Sequence, residues 1–109
     1  TEIRDEVKAR FGYNLSRSVD EIRRTYQYDV TCQGSVPESL IGFFESNDFT
    51  HAIRLAVSFG GDIDTMACIT GSIAEAFYGD IPESIVLEVI ERIPKPWVET
   101  LKAFSEKYR

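Results

Sequence analysis

The sequence predicts an all-α fold, and three observations carry the prediction. Apolar residues recur at helical spacing through most of the chain, capping residues, prolines and glycines separate those stretches, and the one segment with strand-like alternation, Tyr26 to Cys32, has no second strand to pair with. The expected architecture is one orthogonal, non-bundle domain over residues 1–109, with roughly six or seven helices wrapped around a buried central helix at about 66–78. Composition agrees. Hydrophobic residues at 43% and charged residues at 28% are globular values, which sets aside intrinsic disorder and a coiled-coil rod. A chain of 12.4 kDa should fold to a surface of about 6,000 Å².

Each element has its own signal. Ile3, Val7 and Phe11 recur at i, i+4, i+8, a short amphipathic helix that Gly12 ends. Ser18 with Glu21 forms a capping box, opening a helix that turns Val19, Ile22 and Tyr26 inward. Tyr26, Tyr28, Val30 and Cys32 then alternate with polar residues. A lone strand cannot satisfy its backbone, so the segment is expected as an extended connector or an edge awaiting a partner. Ser35-Val36-Pro37-Glu38 combines a capping hydroxyl, an early proline and a glutamate three residues after the serine. That predicts a helix starting there, with Val36, Leu40, Ile41, Phe43 and Phe44 inward and an end near Asn47.

Phe49, Ala52, Ile53, Ala56, Val57 and Gly60 make the cleanest amphipathic pattern of the chain. From Met66 to Tyr78 nearly every residue is apolar or small, with Glu75 the sole charge, so this helix is expected to be buried all round. Gly79 closes it. Pro82-Glu83 starts a helix whose inward stripe is Val86, Val89, Ile90 and Ile93, and Pro94 and Pro96 stop it. Trp97, Leu101, Phe104 and Tyr108 are expected to lay a last aromatic helix over the core.

Charge and cysteine usage exclude several functions. With 12 Lys and Arg against 18 Asp and Glu the net charge is −6, so phosphate-backbone binding would gain little and nucleic acid is not an expected partner. Apolar stretches fall short of the roughly 18 residues that a bilayer span needs, so no membrane partner is expected. Cys32 and Cys68, with one histidine in the chain, offer neither a disulfide framework nor a zinc site, which fits a reducing, cytoplasmic setting. Cys68 is expected in the core and His51 in solvent, and a hydrolase built on Cys32 and His51 lacks an orienting acid. The chain opens at Thr1 without a methionine, as a piece of a longer protein would.

One segment carries chemistry: Gly60-Gly61-Asp62-Ile63-Asp64-Thr65, at the mouth of the apolar helix. Within a regular helix, residues two apart point about 200° away from each other and could not share an ion. With Asp62 ahead of the helix, where two glycines free the backbone, both carboxylates and the Thr65 hydroxyl can converge. Such hard oxygens suit Mg²⁺, Mn²⁺ or Ca²⁺. Plain capping is the competing account, because aspartate is a favoured N-cap and an acid in the first turn suits the helix dipole. Two carboxylates are also too few for a complete site. Gln33, Gly34 and Ser35, at a predicted helix start that would present backbone N–H groups to an anion, are candidate substrate-binding residues together with Gly61; for Ser35 the competing account is a simple cap.

These residues, in this order, resemble a known family. Ser35-Val36-Pro37, Phe49 to Ala56, Gly60 to Thr65, then Ala67, Gly71, Ala74 and Phe77-Tyr78-Gly79 look like the C-terminal part of the ADP-ribosylglycohydrolases, over about Tyr26 to Ile93. The resemblance implies an all-α hydrolase that removes ADP-ribose from modified proteins or related adducts with two Mg²⁺ or Mn²⁺ ions. It implies that Asp62 ligates one metal, that Asp64 bridges the two, and that Thr65 adds its hydroxyl. The family's N-terminal G-D-x-x-G-type and T-D-D-T-type segments, which hold the remaining ligands, do not occur here. The expected partners are therefore ADP-ribose or an ADP-ribosylated substrate and the missing N-terminal portion of the same enzyme, and the chain alone is expected to be inactive. No residue of the chain stands out as catalytic acid or base. A catalytically silent helical interaction module of the same fold is the alternative.

Overall fold

The structure is a computed structural model and describes residues 2–109; Thr1, the first residue of the expected domain, lies outside the described residues. Seven helices follow one another: α1 Glu2–Phe11, α2 Val19–Thr25, α3 Cys32–Phe44, α4 Phe49–Ser58, α5 Ile63–Tyr78, α6 Glu83–Arg92 and α7 Lys95–Tyr108. The fold is all-α, and no strand forms among the described residues.

Local chemistry sets the helix ends. Gly12 stops α1 with φ +68, a left-handed conformation that glycine adopts without penalty, and its N–H bonds the Lys8 carbonyl at 2.9 Å. The capping box of α2 is real: Glu21 N–H donates to Ser18 Oγ at 3.1 Å and Ser18 N–H to Glu21 Oε2 at 2.6 Å. Residues 26–31 are an extended connector with Tyr28 and Val30 exposed. Gly79, at φ 76, closes α5 as expected.

Helix α3 departs from the sequence-based expectation. It begins at Cys32 with Thr31 as N-cap, whose Oγ1 accepts from Gly34 N–H at 3.1 Å. Ser35 is not the cap; it is buried, and its hydroxyl donates to the Thr31 carbonyl. Pro37 is tolerated inside the helix because the carbonyl it leaves unbonded belongs to Gln33, in the solvent-exposed first turn. Glu38 is not half of a capping box either. It is buried and pairs with Arg17, Nη2 to Oε1 at 2.7 Å.

The core forms where α3, α4 and α5 meet. Leu15, Val19 and Ile22 pack with Leu40, Ile41, Leu55, Phe59 and Met66, and beside them Phe43, Phe49, Ala52 and Ala74 form a second cluster. Small residues bring the helices close: a Cβ at Gly71 of α5 would stand 2.9 Å from Ile53 Cδ1 of α4. Thr70 Oγ1 donates to the Ser39 carbonyl at 2.9 Å, tying α5 to α3, and Ser39 Oγ donates to the Ser35 carbonyl at 2.7 Å.

Three burial expectations are corrected. Helix α5 is buried along one stripe, Met66, Thr70, Gly71 and Ala74, while Cys68, Ser72 and Phe77 are exposed; Cys68 is therefore not a core thiol. In α4 the inward face includes Leu55, and Val57 is exposed. Finally α7 does not cover the core. Trp97, Leu101, Phe104 and Tyr108 are exposed, as are Val86, Val89 and Ile90 of α6. The two helices instead enclose an open apolar hollow of about 420 Å³ lined by Val89, Ile93, Trp97, Thr100 and Leu101. No helix is long and apolar enough to cross a membrane, among the described residues.

Candidate metal centre

The turn between α4 and α5 presents the acids. Gly60 has φ +78, and a Cβ there would meet nothing within 4 Å, so backbone conformation alone demands glycine. The Gly61 carbonyl accepts from Ile63 N–H at 2.9 Å, which folds the chain tightly into α5. Asp62 occupies the N-cap position at φ −74, ψ 70, yet its side chain makes no capping hydrogen bond. Its carboxyl lies instead within hydrogen-bonding reach of the Asp64 carboxyl. Asp64 stands exposed in the first turn and accepts from Thr65 N–H at 2.9 Å. A hydrogen bond from the Asp62 carboxyl first, and the Thr65 N–H second, hold the Asp64 carboxyl below the usual carboxylate range.

Asp62, Asp64 and the exposed Thr65 thus share one helix mouth, and Asp62 is free of the capping role that competed for it. None of the ion pairs among the described residues involves either aspartate. Two carboxyl groups at one helix mouth, neither of them in an ion pair, are oxygen donors of the kind that a hard divalent ion takes. The set is incomplete: no group of three or more His, Cys, Asp or Glu side chains suited to a metal occurs among the described residues.

Of the four candidate substrate-binding residues, the structure brings two together. Tyr26 Oη donates to the Gly34 carbonyl at 2.5 Å, and its ring lies so close to Gly61 that a Cβ there would stand 2.1 Å from Cε1. Gln33 is exposed in the first turn of α3, next to this contact. Ser35 is withdrawn from any ligand by burial and by its bond to Thr31.

Two residues escaped the sequence reading. Asp29 Oδ1 accepts from Thr31 N–H at 2.8 Å and from Thr31 Oγ1 at 2.7 Å. Those bonds, side chain before backbone, lower the pKa of its carboxyl. The carboxyl also fills the space over Gly34, where a Cβ would stand 2.1 Å from Cγ. Tyr26 is half-buried, and burial first, then the negative charges of Glu38, Asp29 and Asp62, raise the pKa of its phenol. The Asp-x-Thr spacing was the available signal for Asp29, hidden by the strand-like alternation around it.

Cys32 and His51 do not assemble. Cys32 opens α3, a helix of 13 residues and so roughly 18 Å from first to last residue, whereas His51 lies in the first turn of α4, bonded to Asn47 just beyond the other end of α3. His51 is half-buried and accepts the Asn47 N–H on Nδ1 at 3.3 Å, so it is less solvated than its position off the apolar stripe suggested.

Comparison with known proteins widens the span of the resemblance. The family model described as ADP-ribosylglycohydrolase matches residues 2–108. Mouse ADP-ribosylhydrolase ARH3 is 26% identical over 103 residues, 94% of this chain and 24% of the relative. The ADP-ribosylarginine hydrolase Tri1 of Serratia proteamaculans is 34% identical over 91 residues, 83% of this chain and 21% of the relative. Human ARH3 is 24% identical over 103 residues, 94% of this chain and 24% of the relative. The chain therefore spans about a quarter of the length of the curated relatives it matches. No solved structure matches. Since the match runs nearly from end to end and takes in the turn that carries Asp62, Asp64 and Thr65, the chain belongs to the ADP-ribosylglycohydrolase family.

Proposed function

We propose that this chain supplies the Asp62-x-Asp64-Thr65 half of a binuclear Mg²⁺ or Mn²⁺ site in an enzyme that hydrolyses ADP-ribose from modified protein or a related adduct. The observation that carries the reading is Asp62 itself: at a helix N-cap its side chain accepts no capping bond and lies against Asp64. Two neighbouring acids at a helix N-terminus, neither in an ion pair with the protein, are arranged for a charge that the chain does not provide. Asp62, Asp64 and Thr65 would hold the ions, with the remaining ligands outside these residues. When bound, the ions would orient ribose hydroxyls and stabilise charge as the glycosidic bond breaks. The chain's own contribution is to fix these oxygens on the start of a rigid helix, and to present Gln33 and Gly34, at the start of α3, towards the nucleotide. The proton donor and acceptor lie elsewhere.

Calorimetric titration of MnCl₂ into the protein at its full encoded length, beside Asp62→Asn and Asp64→Asn, tests the reading. Binding that each substitution weakens at least about tenfold, roughly 1.4 kcal/mol, supports it. Binding absent from the wild type, or unchanged in both variants, overturns it. The incomplete donor set then favours a catalytically silent helical module, in which Asp62 and Asp64 serve only the start of α5.

A further inference from the structure

Tyr26 is the C-cap residue of α2, and its side chain touches two segments far apart in sequence. The hydroxyl donates to the Gly34 carbonyl in the first turn of α3. The ring edge presses on Gly61, in the turn that delivers Asp62. Behind it Phe59 backs the ring, with centroids 6.3 Å apart. The phenol is thus a strut between the first turn of α3 and the mouth of α5.

The glycines make the same point from the other side. Gly60 needs glycine for its positive φ, but Gly34 and Gly61 do not have positive φ. They need glycine for space, since a Cβ at either would stand 2.1 Å from a side-chain atom, Asp29 Cγ at Gly34 and Tyr26 Cε1 at Gly61. Both backbone stretches are therefore drawn against side chains of the connector. Phenylalanine would fill the same volume, and only the hydroxyl fixes how far the ring stands from the start of α3.

We propose that Tyr26 is a positioning residue. It sets the separation between the Gln33–Gly34 turn and the Gly60–Asp64 turn, so that a ligand with a nucleotide end and a metal-held ribose end meets both at once. The inference rests on the hydrolase reading above. Because the hydroxyl touches neither aspartate, its removal should spare metal binding and weaken only the ligand that spans both turns. The Gly34 carbonyl, inside a helix, keeps its backbone partner when the hydroxyl is gone, so the fold should tolerate the change.

The test measures MnCl₂ affinity, ADP-ribose affinity at saturating Mn²⁺, and melting temperature for the protein at its full encoded length and for Tyr26→Phe and Gly61→Ala. For Tyr26→Phe we expect unchanged melting, Mn²⁺ affinity within about twofold, and ADP-ribose affinity about tenfold lower, the loss of preorganisation. Gly61→Ala displaces the ring and should weaken ADP-ribose as well, with the double variant no weaker than the sum of two independent losses and closer to one of them. Wild-type ADP-ribose affinity in Tyr26→Phe overturns the proposal while leaving the hydrolase reading intact. So does a joint fall of melting temperature, Mn²⁺ and ADP-ribose affinity in both variants, which assigns Tyr26 to the core alone. A wild type that binds neither Mn²⁺ nor ADP-ribose overturns the hydrolase reading and this inference with it.

Discussion

Glu38 and Arg17 show at the scale of single residues how chemistry overrides a sequence signal. Three positions after a serine, Glu38 reads as the second half of a capping box, yet it is 4% exposed and its partner is Arg17. The pair is single-pronged: Glu38 Oε2 and Arg17 Nε have no hydrogen-bond partner within the protein. Arg17→Ala would leave a buried carboxylate unpaired, and because the Arg17 side chain is 34% exposed we expect a loss of about 2–3 kcal/mol, below that of a fully buried pair, in urea unfolding. A loss under about 0.5 kcal/mol would show that water replaces the guanidinium. The candidate acids were legible because their spacing and the paired glycines restrict what the backbone can do. Tyr26 and Asp29 were not, since their roles depend on Gly34 and Gly61, which only the tertiary fold brings to them.

Among elements, α2 and α3 began from the same kind of signal and ended differently. At α2 the box closes, and the bonds of the Glu21 carboxylate to Ser18, backbone before side chain, hold its pKa below the ordinary 4.5. A carboxyl lowered by folding adds stability that is present above the unfolded value and lost as pH falls through the folded one. The melting difference between wild type and Glu21→Ala should therefore be largest near neutrality and shrink below about pH 4; a constant difference would mean that packing, not ionisation, carries the cap. At α3 a serine, a proline and a glutamate coincided one turn inside the helix, and the earlier Thr31 cap went unnoticed because its neighbours alternate like a strand. Periodicity located every helix, but it gave only a preferred side for each, and whether that side is covered depends on what lies opposite.

Taken whole, the molecule is more open than its mass suggests. Its surface of 7613 Å² is roughly a quarter above the ~6,000 Å² of a compact monomer, and its radius of gyration of 15.1 Å exceeds the expected ~13 Å. The excess belongs to α1, α6 and α7, which contain no buried residue. For this chain in isolation, amide exchange should be fastest in those three helices and slowest in α3 and α5; equal protection across α3 to α7 would show that the apolar hollow beside Trp97 is closed in solution. The centre behaves otherwise. The hydroxyls of Thr70, Ser39 and Ser35 form a ladder that climbs from α5 along α3 to Thr31, each rung ending on a main-chain carbonyl one turn or one helix away. Those carbonyls already accept helical N–H groups, so deleting a rung strands no acceptor. The ladder is thus permissive in one direction: serine can give way to alanine there without orphaning a carbonyl, whereas added bulk would meet a closed core, and the acids at the mouth of α5 depend on none of its rungs.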